Sequence, residues 1–482
     1  MISKSFFKSS FIYSFVGALP YASGIILIPF FTKLLTHQDY GANEIYLILM
    51  YVVQILSSFG LDTYIGINYF EHKDNKKRLG EFVGTVLLAL VILGAFMMAA
   101  GASSGNVIFQ LIFDKKDHMM FFPYGFITLF TAIFNGFFKT YTSLLINQQR
   151  PERFFWLNIL NFSLTVLLSL VLLYAFPKTL YGPILGRLFP AIIACFLSVI
   201  LMVKEFGFSA RKDFIRNMAN FCIPVVVYLL FAWVVSYIDR FIIRYYLDMA
   251  FVGIFALAVK IAMLIDILQI GLANTIHPKV YTIWKDHNLR ESTPEVNRYY
   301  NGFTAITLLV IPVFMIAVPL AGPFFIKDPF FYRSFTFISL LCLGFATRGW
   351  YYMFLAPIFY FKKTKVLPRV LFFTALFQIV VSIVLIKYFS LWGAVIANFA
   401  VKPFQALMLF IESRKIFTFR VNKWKLIYLP VLFIIMILGS EIFLKDYNRI
   451  LIGVLQFFVT GILVISIYRH ELLTVFRKQL SR

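Results

Sequence analysis

The chain has 482 residues, 61% of them hydrophobic, a mean hydropathy of +0.83 and a formal net charge of +23. Soluble domains run near about 45–50% apolar residues, so this composition excludes a soluble globular protein and leaves almost no room for a separate extramembrane domain. Its three cysteines, Cys195, Cys222 and Cys342, fall in apolar segments, which argues against a disulfide framework or a thiolate metal site, and no P-loop, HExxH or CxxC pattern points to a cofactor or a metal.

A membrane-spanning helix needs about 20 apolar residues. The hydropathy pattern predicts fourteen such spans, at residues 12–35, 42–67, 82–101, 121–145, 154–176, 181–203, 221–246, 251–276, 303–326, 335–360, 369–388, 392–411, 426–444 and 450–468. The first follows Lys4 and Lys8 as a signal sequence would, yet it exceeds a signal h-region of about 7–15 residues and is read as a retained span. It carries Pro20 and Pro29, and later spans carry Pro190, Pro224, Pro312, Pro319 and Pro403. Each removes a helical hydrogen bond and bends its helix. Span 1, with two, is either a flexing element or a fixed kink. The longest loop, 278–301, is expected to hold a surface helix with Tyr281, Trp284 and Leu289 on its apolar face; the segment 106–121 is expected to form a similar one on the other side.

Charge orients the map. With a cytoplasmic N-terminus, the N-tail and the loops after even-numbered spans carry 29 Lys/Arg against 10 on the opposite side, as the positive-inside rule requires. Both termini are then cytoplasmic. The +23 charge is thereby a topology signal rather than a nucleic-acid surface. A weak repeat relates spans 1–6 to spans 7–12. Leu19-Pro20 and Tyr40-Gly41 match Ile223-Pro224 and Val252-Gly253, and Leu180-Tyr181-Gly182-Pro183 matches Leu391-Trp392-Gly393-Ala394. The expected organisation is a first lobe over 1–203, a second over 204–420, and two added spans with a tail over 421–482. Transporters built from repeats bind substrate near the midplane.

Six cations sit deep in the spans: Lys139, Arg187, Arg240, Lys260, Arg348 and Lys402, against three acids, Asp62, Asp239 and Asp266. A cation at the bilayer centre costs roughly 2.5–3.5 kcal/mol on insertion scales, so a chain that retains six is expected to surround something negative. Lys139 and Arg348 fall on matching spans 4 and 10, and Arg187 and Lys402 on matching spans 6 and 12. Polar stripes accompany them, including Asn135 with Lys139, and Asn398 and Gln405 with Lys402; interhelical hydrogen bonding within a packed bundle is the alternative to a hydrated cavity. For each cation the alternative is an ion pair or snorkelling, strongest for Arg240, which has Asp239 beside it. Asp62 and Asp266 are the candidates for coupling to a proton or sodium gradient, since a buried carboxylate titrates or binds a cation; otherwise each neutralises a neighbouring cation.

The run Ile28-Pro29-Phe30-Phe31-Thr32-Lys33-Leu34-Leu35-Thr36 leads into Asp39-Tyr40-Gly41, with Phe59-Gly60-Leu61 one span later. Asp239-Arg240-Phe241 followed by Val252-Gly253-Ile254-Phe255 continues the pattern. Over essentially its whole length the chain resembles the Wzx-type flippases, the polysaccharide branch of the multidrug/oligosaccharidyl-lipid/polysaccharide exporter superfamily. The resemblance implies an all-α polytopic fold with two six-helix lobes around a central cavity. It implies an undecaprenyl-pyrophosphate-linked glycan as substrate, passed from the cytoplasmic to the outer leaflet of the bacterial inner membrane, with a polysaccharide polymerase and glycosyltransferases as partners in the pathway. Two alternatives stay open within the superfamily: a flippase for the peptidoglycan precursor lipid II, and a multidrug/cation antiporter, which needs lumenal acids where this chain has an excess of cations. A membrane-embedded glycosyltransferase or polymerase would need acidic catalytic residues and a larger loop than any predicted here.

Overall fold

The computed structural model describes residues 13, 16, 17, 19–114, 117, 119–286, 293–417, 420–444 and 447–480, which are predominantly helical, with no strand among them. Lys4, Lys8 and Leu289 lie outside the described residues. The chain forms two compact units, Met1–Gly253 and Ile254–Arg482.

In the first unit, α1 (Leu19–Ile26) and α2 (Ile28–Leu34) are separated at Leu27, with Pro29 in the first turn of α2, where its missing N–H has no partner to lose. Thr36 then caps α3 (His37–Ser58): its hydroxyl oxygen accepts from the Asp39 N–H at 3.1 Å, and Asp39 lies in the first turn. The motif Thr36…Asp39-Tyr40-Gly41 is thus a helix start. Helix α3 ends at Phe59 and Gly60, both left-handed, with φ of 49° and 72°, before α4 (Leu61–His72) resumes. There follow α5 (Lys76–Ile112), α6 (Phe126–Asn147), α7 (Pro151–Ala175), α8 (Tyr181–Phe206) and α9 (Asp213–Tyr246). The α7–α8 hairpin packs along its length, and α6 is flanked by α3, α4 and α8. At Gly41 a Cβ would fall 1.8 Å from the Met249 carbonyl oxygen, and at Gly253 it would fall 2.9 Å from the Tyr40 ring. The two glycines that the sequence repeat pairs therefore meet at one contact, and no larger residue fits at Gly41.

Helix α10 (Met249–Asp286) begins at the end of the first unit and runs into the second, which continues with α11 (Thr293–Phe325), α12 (Ile338–Leu343), α13 (Arg348–Tyr360), α14 (Leu367–Ile416), α15 (Leu429–Phe443) and α16 (Arg449–Leu480). Twelve helical stretches among the described residues are long and apolar enough to cross a membrane, against the fourteen expected. The difference lies at two places. The pair α1–α2 is too short in its described part. The stretch Thr364–Ile416 has 53 residues, about 80 Å if straight at 1.5 Å per residue, far beyond a bilayer core of about 30 Å. It is not straight. Ser390, at φ 52° and ψ −134°, breaks it, and its two arms fold back on one another: Phe377 stacks on Phe404 at 4.0 Å and Arg369 reaches Glu412 at 3.5 Å. At Gly393 a Cβ would lie 2.0 Å from the Leu385 carbonyl oxygen, so the turn itself demands glycine.

The expected surface helices do not form as separate elements. α10 continues through Pro278 to Asp286, and Trp284 is a core residue, 3% exposed, with its ring 5.2 Å from Tyr360. Tyr281 packs on the same Tyr360 ring at 5.8 Å. Likewise α5 carries residues 106–112 as the end of one long helix. A loop rich in aromatic residues was read as an interfacial helix; the aromatics instead extend spans and pack between them.

Candidate substrate site

The predicted tenth span is not one helix. It consists of a 3-10 segment, Pro329–Phe337, then α12, a second 3-10 turn at Gly344–Thr347, and α13. All four residues of that second turn are buried. Irregular backbone at membrane depth is tolerated where protein covers it or a cavity is lined by it.

Two of the predicted cations bracket this turn. Arg348 is the first residue of α13; its guanidinium lies 3.1 Å from Asp266 on α10 and 4.7 Å from the centre of the Tyr351 ring. Its Nε–H is buried with no hydrogen-bond acceptor among the described residues. Lys402, from the second arm of α14, reaches the Asn398 carbonyl oxygen at 3.0 Å and also donates to the Asn398 side-chain oxygen, with its ammonium 4.9 Å from the Phe345 ring centre. A Cβ at Gly344 would sit 2.8 Å from Lys402 Cδ, so the glycine leaves room for the lysine stem. Gln269 ties the turn to its surroundings: Nε2 donates to the Phe345 carbonyl at 3.0 Å and to Thr307 at 3.1 Å. Sequence analysis missed Gln269 because a lone amide makes no stripe; the available signal was its place three residues after Asp266, on the same helical face. Lys260, on α10, and Gln405, on α14, are partly buried.

The first unit holds a second acid–cation pair. Asp62 opens α4 directly after the left-handed break and lies 3.1 Å from Lys139 of α6. Its backbone carbonyl accepts from Ser143 at 2.6 Å, while one carboxylate oxygen, Oδ1, is buried without a hydrogen-bond donor. Asn135, one turn before Lys139, is partly buried beside Met50. Arg187 on α8 is partly buried in the electrostatic neighbourhood of Glu44, Tyr51 and Tyr40.

The structure corrects the charge inventory. Glu44 is buried in α3, and Asp117 is buried in the loop before α6, so protein-buried acids are not limited to the three singled out from sequence. Glu44 was missed because the predicted span began only two residues before it. Arg348 has no acid on its own helix, yet it is paired across helices with Asp266. Arg240 is satisfied locally, by Asp239 at 2.7 Å and the Ser236 carbonyl at 2.6 Å, the bland alternative foreseen for it. One turn on, Arg244, near the end of the predicted seventh span and not among the six cations singled out from sequence, is buried and ion-paired with Asp117, and donates to the Ile112 carbonyl at 2.5 Å. That contact fastens the α5–α6 connection to α9.

Comparisons with known proteins follow this geometry. The family model described as "Polysaccharide biosynthesis protein" matches residues 30–327. No curated protein sequence matches the chain. Among solved structures, the inward-closed lipid II flippase MurJ superimposes with a TM-score of 0.68 at 15% identity, covering 99% of each chain. An inward-facing multidrug resistance MATE family transporter of the MOP superfamily gives a TM-score of 0.67 at 14% identity, covering 84% of this chain and 94% of that one. A MOP superfamily transporter from Pyrococcus furiosus, with a binding pocket of reversed polarity, gives 0.62 at 13%, covering 86% and 95%. The transporter fold spans the helices that carry both ion pairs, and the family match spans more than half of the sequence: the chain is a multi-pass membrane protein that belongs to the polysaccharide biosynthesis protein family, with the fold of the MOP superfamily.

Proposed function

We propose that the protein is a flippase for a glycan linked to undecaprenyl pyrophosphate, a repeat unit of O-antigen, capsule or exopolysaccharide, and that it works by alternating access in the bacterial inner membrane with both termini cytoplasmic. The observation that carries this reading is the pair of cations at the buried turn Gly344–Thr347, with the unspent Nε–H of Arg348 between its ion pair and its aromatic neighbour. A guanidinium donates through a planar fork suited to phosphate oxygens, and its pairing with Asp266 leaves one such donor open. Lys402, Lys260, Lys139 and Arg187 supply further positive charge, and Asn135, Asn398 and Gln405 supply hydrogen bonds of the kind sugar hydroxyls accept and donate. The polyprenyl tail stays in lipid while the head group crosses. Each acid holds a cation and has one carboxylate oxygen without a hydrogen-bond donor; Asp62 is the better placed of the two to couple a proton or sodium ion, because its lysine partner is the more exposed and the more easily displaced.

The test is reconstitution in liposomes with a fluorescent lipid-linked oligosaccharide. Arg348→Ala and Lys402→Ala are expected to lower translocation by about tenfold or more while the protein remains folded, since each charge-assisted hydrogen bond contributes about 1.5–3 kcal/mol. Translocation at the wild-type level in both variants would refute the cationic site. A topology tag at Lys363 is expected on the cytoplasmic side. A second reading, a lipid II flippase, is favoured by one observation: MurJ superimposes over 99% of this chain, including the last two spans, while the MATE transporter superimposes over 84%. Offering lipid II and the oligosaccharide lipid side by side in the same liposomes decides between the two.

A further inference from the structure

A shallow cleft open to the outside lies among α11, the 3-10 segment Pro329–Phe337, α12, α15 and α16. Its charged lining residues are remote in sequence from the cations discussed above, and its lining is mixed. Pro319, Phe335, Ile338 and Ile452 form an apolar wall, and Glu441, Arg449, Ser440 and Gln456 face the same space. Glu441 and Arg449 carry opposite charges but do not pair with each other. Arg449 gives one N–H to the Thr336 carbonyl at 3.2 Å, which leaves most of its five donors free. Glu441 has no ion-pair or hydrogen-bond partner among the described residues. Gln456 is 4% exposed; its amide nitrogen is held by Ser440 Oγ at 2.5 Å, and its Oε1 is a buried acceptor with no donor.

These groups specify a ligand by elimination. An isolated anion meets Glu441, and an isolated cation meets Arg449. A molecule carrying both charges a few bonds apart satisfies each. Both Glu441 and Gln456 Oε1 take hydrogen-bond donors, and Gln456 Oε1, buried without one, costs about 1–3 kcal/mol until it is filled. A quaternary ammonium has no N–H to offer, whereas a primary ammonium has three. The source of the ligand is indicated by the helices that carry the lining: Ile442 and Phe443, next to Glu441 in sequence, and Leu451 and Leu455, near Ile452, are exposed hydrophobic side chains of the kind that face acyl chains. We propose that this cleft binds the head group of a zwitterionic phospholipid bearing a primary ammonium, with Arg449 on the phosphate and Glu441 and Gln456 Oε1 accepting from the ammonium.

The experiment uses the full-length protein, delipidated in detergent and titrated with phosphatidylethanolamine, its N-methyl, N,N-dimethyl and trimethyl derivatives, and phosphatidylglycerol, with bound lipid counted by native mass spectrometry. The methyl series keeps the charge and removes the donors one at a time, and it needs no variant. Affinity is expected to fall stepwise, by about tenfold from the primary to the quaternary ammonium, in line with one to two charge-assisted hydrogen bonds. A flat series overturns the proposal. Glu441→Gln is expected to abolish the preference for phosphatidylethanolamine over phosphatidylglycerol, and Arg449→Gln to weaken both lipids; unchanged binding in either variant, with an unchanged melting temperature, also overturns it. Glycerophosphoethanolamine is expected to displace the lipid only at far higher concentration. Equal affinity for this soluble head group would refute a lipid as the occupant.

Discussion

The two ion pairs, Asp62–Lys139 in the first unit and Asp266–Arg348 in the second, sit on matching spans, 2 and 4 against 8 and 10, and are built differently. Each follows or faces a break in a helix: the left-handed Phe59–Gly60 step in one case, the 3-10 turn Gly344–Thr347 in the other. In the first, the lysine side chain is 46% exposed and its acid 10%. In the second, arginine and acid are 19% and 18% exposed, and an aromatic ring covers the guanidinium. A lysine is a mobile point charge, and an exposed pair of this kind is worth about 0–1 kcal/mol. An arginine clasped by an acid and a ring is a fixed fork whose free donor points one way. The contrast is between a mobile charge and a fixed fork, and the proposed roles, ion exchange in one repeat and phosphoryl binding in the other, rest on it.

The largest expected effect comes from leaving Arg348 without its acid. Asp266→Ala strands a mostly buried guanidinium, which costs about 3–5 kcal/mol where a buried pair is broken from one side. It should appear as a marked fall in the melting temperature in detergent. The double variant Arg348→Met/Asp266→Leu should recover most of that stability and still fail to flip substrate. If the double variant is as unstable as the single one, the pair is not what holds this region together. Next in size is Arg348→Lys, which keeps the charge and loses the fork. Translocation should fall about tenfold, equivalent to about 1.4 kcal/mol, with little change in melting temperature. A fully active lysine variant would mean that charge alone is needed, and would erase the distinction drawn between the two pairs.

Much of this was legible in the sequence, and what was not has a common cause. Hydropathy located each of the twelve described stretches long and apolar enough to cross, including both arms of the Thr364–Ile416 hairpin, because apolar length and the basic clusters between spans are properties of single segments. The break at Ser390 was placed correctly by the Leu391-Trp392-Gly393 repeat. Partners across helices were another matter. Nothing along α13 announces Asp266, and nothing along α9 announces that Arg244 reaches back to Asp117. Arg348 was weighed by the acids on its own helix and Arg244 was passed over, while the energy of a buried charge is settled by the helix it faces. Trp284 failed for the same reason: Lys285 and Asp286 follow it in sequence, and its neighbour in space is Tyr360.

The smallest stability effect belongs to Asp62→Asn, and it sharpens the comparison most directly. Lys139 is half in the open, so removing its partner should change stability by no more than about 1 kcal/mol. Ser143 holds the Asp62 backbone rather than its carboxylate, so the local helix start survives the substitution. If Asp62 exchanges a proton or sodium ion during the cycle, the asparagine variant should still bind lipid-linked oligosaccharide and should lose any stimulation of flipping by an imposed ion gradient. Lys139→Met should show the opposite imbalance, with a lone acid that binds the ion more readily and releases it less. Gradient stimulation that persists unchanged in both variants would assign coupling elsewhere, and would leave the Asp62–Lys139 pair as a brace across the Phe59–Gly60 break, no different in kind from the clasp that Arg244 makes with Asp117.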